Sequence, residues 1–252
     1  MKRLGVLLYG VIVYAIFLPT FCYAIGFVSD LVVPKGINDG EPTSLLRALL
    51  INGGLLSLFA VQHNIMARPA FKRVWTKIVP EPMERSTFVL FTCGILALMF
   101  WQWRPMNDVI WSVESPVAEG MIWALCGIGW ATVLISTFII DHFDLFGLKQ
   151  TVLYGMGREY RQPRFKVTGL YRFVRHPLML GFFIAFWSAP TMTSGRLMFA
   201  SITTIWILIT LHIEERDLVG IHGNDYRQYQ RNVPMVLPIP KRGESSAPIA
   251  QS

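Results

Sequence analysis

Six apolar runs divide the chain. They cover Leu4 to about Val28, Leu45 to about Gln62, Thr87 to Trp103, Met121 to Ile140, Pro177 to about Ala189 and Leu197 to Ile213. A helix that crosses a bilayer needs about 20 mainly apolar residues, with a range of about 17 to 25. The pattern therefore predicts an all-α polytopic membrane protein with five to six transmembrane helices. The first run follows Lys2 and Arg3. It is longer than the apolar core of a secretory leader, about 7 to 15 residues, so it reads as a retained helix, bent at Pro19. The fifth run is short, and Pro190 and Gly195 separate it from the sixth. The last two can form a tight helical hairpin, which gives six spans, or four spans and a hairpin. Residues 1–240 read as a single membrane-embedded domain. The polar stretch 241–252, "KRGESSAPIAQS", reads as a disordered tail.

Composition supports this reading. The chain is 53% hydrophobic and 15% charged, where soluble domains carry roughly 25% charge. Charge between the runs then sets an orientation. Segment 29–44 has Lys35 against Asp30, Asp39 and Glu41, a net of −2. Segment 67–86 has five cations against Glu81 and Glu84, a net of +3. Segment 104–120 has Arg104 against Asp108, Glu114 and Glu119, again −2. Segment 141–175 has seven cations against Asp141, Asp144 and Glu159, a net of +4. The signs alternate as the positive-inside rule requires. An integral protein of the bacterial inner membrane with both termini cytoplasmic is expected. The stretch "ARPAFKRVWTKIV" mixes cations and aromatics and is expected along the inner interface. The net charge of +7 is thus an orientation signal, and no nucleic-acid module accompanies it. Cys22, Cys93 and Cys126 all lie in apolar runs at spacings that make no metal motif, as buried thiols commonly do.

With that topology the polar residues gather at one face. His63 closes the second run, and Asp141 and His142 close the fourth. Arg175 and His176 open the fifth, and His212, Glu214 and Glu215 close the sixth, with His222 just beyond. Pro177 suits a first helical turn, where its missing N–H has no partner to lose. The N-terminal N–H groups there carry partial positive charge, and Arg175 and His176 add to it, which suits a carboxylate. Gly181, one turn on, lets a ligand or another helix approach. Glu214 and Glu215 point about 100° apart on a helix, so one can meet a ligand while the other meets an arginine. A pocket with cationic and anionic ends suits the zwitterionic head of an α-amino acid.

The segment "GLYRFVRHPLMLG" followed by "EERDLVGIHGNDYRQYQRNVPMVLPIP" resembles the C-terminal half of the isoprenylcysteine carboxyl methyltransferase-like membrane family. That family carries R-H-P-x-Y-x-G, E-E-x-x-L and G-x-x-Y-x-x-Y segments. Arg175, His176, Pro177, Gly181, Glu214, Glu215, Leu218, Gly223, Tyr226 and Tyr229 match it, and Met179 replaces the usual tyrosine. The stretches "FAVQHNIMARPAFKRVW", "ERSTFVL" and "DHFDLFGLKQ" narrow the resemblance to the bacterial methanethiol S-methyltransferases, which are related to the NnrU proteins.

The resemblance implies S-adenosylmethionine as cofactor, a small volatile thiol (methanethiol) as acceptor and dimethyl sulfide as product. It implies a cofactor site at the cytosolic face, formed by Arg175, His176, Pro177, Gly181, Glu214, Glu215, Tyr226 and Tyr229. A thiol must lose its proton, and His142, His176 and His212 are candidate bases, with Arg175 beside them to lower the thiol pKa. No metal is expected. The bilayer is the expected partner, and nucleic acid is not. A haem-binding NnrU-like protein, with His63, His142, His176 and His212 as candidate axial ligands, is the main alternative. Others are a same-fold methyltransferase acting on another thiol or on an isoprenylcysteine carboxylate, and a transporter or purely structural protein.

Overall fold

The computed structural model describes residues 2–161 and 166–239. It is 73% helical, and five helices are long and apolar enough to cross a membrane. In chain order the helices are α1 (Lys2–Ser29), α2 (Leu45–Ala67), α3 (Pro69–Trp75), α4 (Glu81–Gln102), α5 (Pro116–Ile140), α6 (His142–Leu145), α7 (Leu148–Gly155), α8 (Pro177–Trp187), α9 (Ser194–His222) and α10 (Asn224–Asn232). Two short strands, β1 (Val109–Ser112) and β2 (Thr191–Thr193), complete the described elements. The chain is a polytopic all-α membrane protein. The expected tail, 241–252, lies outside the described residues.

Each predicted apolar run became a helix, and most extend a few residues beyond it. Backbone groups in a bilayer have no water to bind, so a span must satisfy them within its own helix. Polar residues at the run ends are drawn into the same helices. Thus α4 begins at Glu81, with Glu81 and Glu84 in a first turn that favours negative charge. The stretch 69–75 is the separate helix α3, set between the ends of two spans.

The fifth run is the short one. At about 1.5 Å per residue, the 11 residues of α8 reach roughly 17 Å, about half of a bilayer's apolar thickness. The turn after α8 nevertheless lies with the α4–α5 loop, because β2 pairs antiparallel with β1 (Val109↔Thr193, Trp111↔Met192). The hairpin of α8 and α9 therefore runs from the basic end of the bundle to the acidic end and back. This pairing was not apparent in the sequence.

Three connections interlock at the acidic end. The Arg196 guanidinium donates to the carbonyls of Thr191 and Ser29, both at 2.9 Å. The free N–H groups of α9's first turn go to Asp108 and Met106 carbonyls. Thr193 donates to Asn38 at 2.8 Å, and the fully buried Asn52 brackets the Arg104 backbone with two hydrogen bonds.

α8 lies against α5 at a contact that only glycine permits. A Cβ at Gly181 would sit 2.7 Å from the Gly129 carbonyl oxygen, and one at Gly129 would sit 2.6 Å from the Ala185 backbone nitrogen. Of the two partners expected for Gly181, the structure supplies the helix.

At the basic end, α6 and α7 fold back onto α1 and α4. Asp141 adopts φ 149° between α5 and α6, a conformation costly for any residue with a Cβ. Its carboxylate offsets this by accepting from the Asp144 N–H at 3.2 Å and pairing with Lys149. His142 bridges Thr137 and Tyr14, at 2.8 and 2.9 Å. Burial among these aromatic rings lowers its pKa, which holds the imidazole neutral.

Candidate functional site

The site forms where the segment before α8 meets the basic ends of α9 and α10. Pro177 occupies the first turn of α8 and His176 its N-cap. The backbone N–H groups of Arg175 and His176 donate to the carbonyls of Pro234 and Met235, at 2.9 and 3.0 Å. Gly223, at φ 59°, turns the chain from α9 into α10. That left-handed conformation favours glycine.

Glu215 is the centre of an ionic knot. It accepts from Arg175 twice, Nε to Oε1 at 2.6 Å and Nη2 to Oε2 at 2.9 Å. It also accepts from His176 Nε2 at 3.2 Å and from Gln230 Nε2 at 3.1 Å. A carboxylate has about four lone-pair sites, so Glu215 is saturated. The remaining arm of Arg175, Nη1, caps α10 by donating to the carbonyls of Gln230 and Val233. Arg175 is 8% exposed, and four of its five N–H groups are bonded inside the protein.

A carboxylate can only accept, so His176 Nε2 carries a proton and directs it at Glu215. His176 makes no side-chain cap bond to its own helix. Glu215 thus fixes the orientation of the imidazole, as a carboxylate does for the histidine of a hydrolase triad.

Glu214 points elsewhere. It is half-buried and lies close enough to Tyr171 and Tyr226 to affect both phenols electrostatically. Among the described residues it has neither hydrogen bond nor ion pair. Burial pushes the phenols of Tyr171, Tyr226 and Tyr229 above their ordinary range, so they stay neutral. The Tyr229 hydroxyl donates to the Tyr171 carbonyl at 2.6 Å, and Tyr226 and Tyr229 pack with Val233 in a small core.

The other expected residues fall in three places. His142 is on the α1 side of the bundle with both ring nitrogens engaged. Gly181 belongs to the α5–α8 contact. His212 is exposed, its Nδ1 bonded to the Leu208 carbonyl at 2.7 Å, and it lines an open cleft of about 610 Å³ with Arg216, Arg227 and Arg231. His63 stacks on Phe59 and meets Phe88 at a tilt of 52°. Among the described residues no group of three or more His, Cys, Asp or Glu could hold a metal ion. Sequence reasoning missed Gln230, Tyr171 and the three cleft arginines. The spacing of Arg227 and Arg231, four apart on α10, was the available signal.

Comparison with known proteins places this arrangement. No family profile and no solved structure matches the chain. Curated relatives do. The chain is 49% identical over 239 residues to methanethiol S-methyltransferase of Crocosphaera subtropica, covering 95% of this chain and 94% of that one. It is 52% identical over 231 residues to methanethiol S-methyltransferase 1 of Bradyrhizobium diazoefficiens, covering 92% and 81%. It is 50% identical over 242 residues to the Mycobacterium tuberculosis methanethiol S-methyltransferase, covering 96% and 99%. Identity at this level over more than nine-tenths of the chain shows that the chain belongs to the methanethiol S-methyltransferase family.

Proposed function

We propose that this protein methylates methanethiol with S-adenosylmethionine, giving dimethyl sulfide, at the basic end of the bundle. The observation that carries the reading is the pairing of Glu215 with His176 Nε2, with the half-buried, unpaired Glu214 next in the chain. Half-burying a carboxylate without a partner is costly, so Glu214 suits a cationic ligand. S-adenosylmethionine is cationic at its sulfonium and its ammonium, and it supplies the methyl group. Glu214 would hold the cationic part, and Tyr171 and Tyr226 would wall it from water.

The thiolate, not the thiol, is the nucleophile. His176 takes the S–H proton on Nδ1, and the imidazolium formed there is stabilised by Glu215. Opposite charges cancel during the transfer, so a site that excludes water need not solvate them. An acceptor pocket that selects by apolar size would favour a small thiol. Such discrimination is modest, roughly 1 to 3 kcal/mol per methylene.

The test is conversion of labelled S-adenosylmethionine and methanethiol to labelled dimethyl sulfide by membranes that contain the protein. Ethanethiol should react more slowly and a prenylcysteine hardly at all. Methylation of a prenylcysteine carboxylate instead would sink the acceptor assignment. Co-purifying haem without methyl transfer would sink the reading altogether.

Both termini are placed in the cytoplasm of a bacterial inner membrane on the alternation of loop charge. Reporters fused after Asp39 and Glu114 should read external, and one after Gln150 internal. An internal signal at Glu114 would overturn the orientation.

A further inference from the structure

The arginines of the cleft between α9 and α10 have no part in the chemistry above. Arg216, Arg227 and Arg231 line it with His212, Val219, Glu215 and Gln230. Among the described residues the three arginines have neither hydrogen bond nor ion pair, and all three are exposed. A surface cation needs no partner in water. Three converging on one cavity make a concentrated positive field that calls for an anion.

The helical phase of α9 indicates which anion. At about 100° per residue, Ile205, Ile209, His212 and Arg216 fall within one sector of about 60°. Ile205 and Ile209 are 56% and 45% exposed, and both lie in the candidate span. The strip of α9 that faces the acyl chains therefore runs without interruption into the arginine cleft. A soluble anion would have no use for that strip, whereas an amphiphile needs both parts. Glu214 lies roughly 170° away, on the opposite side of the helix, so the cleft borders the proposed methyl-transfer site at Glu215 without including Glu214.

We propose that this cleft binds the headgroup of an anionic phospholipid, with an acyl chain along Ile209 and Ile205. Basic pockets beside membrane helices are suited to such headgroups. The phosphate meets Arg227 and Arg231, one helical turn apart, and Arg216 faces them from α9. Because Arg216 is on α9 and Arg227 and Arg231 are on α10, a bound lipid also braces the α9–α10 angle at Gly223.

Titration of short-chain phosphatidylglycerol into the detergent-purified protein, read by thermal shift, tests this. Affinity should fall about fivefold for each arginine neutralised, so roughly 25-fold in Arg227→Gln/Arg231→Gln. Ile205→Ser/Ile209→Ser should weaken phosphatidylglycerol while leaving the unshifted midpoint in place. Short-chain phosphatidylcholine should bind weakly to every variant. Unchanged phosphatidylglycerol affinity in the double arginine variant overturns the proposal. Equal binding of glycerol 3-phosphate would make the cleft a site for soluble phosphate, and displacement of the lipid by S-adenosylhomocysteine would make it a cofactor site; either overturns it.

Discussion

Replacing Glu215 with alanine should destabilise the protein more than any other single change near the site. The Arg175 side chain is 7% exposed and that of Glu215 12%, so the variant strands a guanidinium in a place water barely reaches. Breaking a buried pair by removing one partner costs about 3 to 5 kcal/mol. The loss spreads, because Arg175 also caps α10 and His176 loses its orienting partner. The thermal midpoint in detergent should fall by on the order of 10 °C. Removing both charges together, as in Arg175→Met/Glu215→Leu, should recover part of that loss, since well-packed apolar groups can replace a buried pair. A wild-type midpoint in Glu215→Ala would show that the knot is not what joins α8, α9 and α10.

The second large effect separates chemistry from binding. His176→Asn should lower turnover about 10² to 10⁴-fold, the usual contribution of a general base. Affinity for S-adenosylhomocysteine should stay near wild type. Glu214→Gln should do the reverse, weakening S-adenosylhomocysteine at least tenfold, as loss of a charged hydrogen bond does, with the midpoint unchanged. His212→Asn should leave turnover near wild type. If His212→Asn abolishes turnover while His176→Asn does not, the base has been misassigned.

Much of the fold was legible because a bilayer leaves so little choice. Runs of about 20 apolar residues must become helices, and Pro177 marked the start of α8 to the residue. The strands β1 and β2 were not legible: three or four residues, largely exposed in β1, carry no clear alternation. The site was legible in its membership more than in its geometry. Sequence showed that Glu214 and Glu215 diverge, but which of them meets Arg175 depends on the rotation of α9 against α8, which no local pattern encodes. For the same reason His142 looked equivalent to His176 until Tyr14 and Thr137, far apart in the chain, closed around it. The cleft arginines were missed because only the turn at Gly223 brings α10 back against α9.

The interlocked loops at the acidic end make that end a pivot. With Ser29, Thr191 and Arg196 tied together, the helices cannot slide past one another there, so relative motion is confined to tilting. From Arg196 to Glu215 is 19 residues, an arm of about 28 Å at 1.5 Å per residue. A tilt of about 5° at the fixed end then carries Glu215 through roughly 2.5 Å, nearly the length of a hydrogen bond. A movement too small to disturb the packing of Gly129 against Gly181 is thus enough to open or close the knot. Tilting of this kind would make the bundle a lever, with its fulcrum at the acidic end.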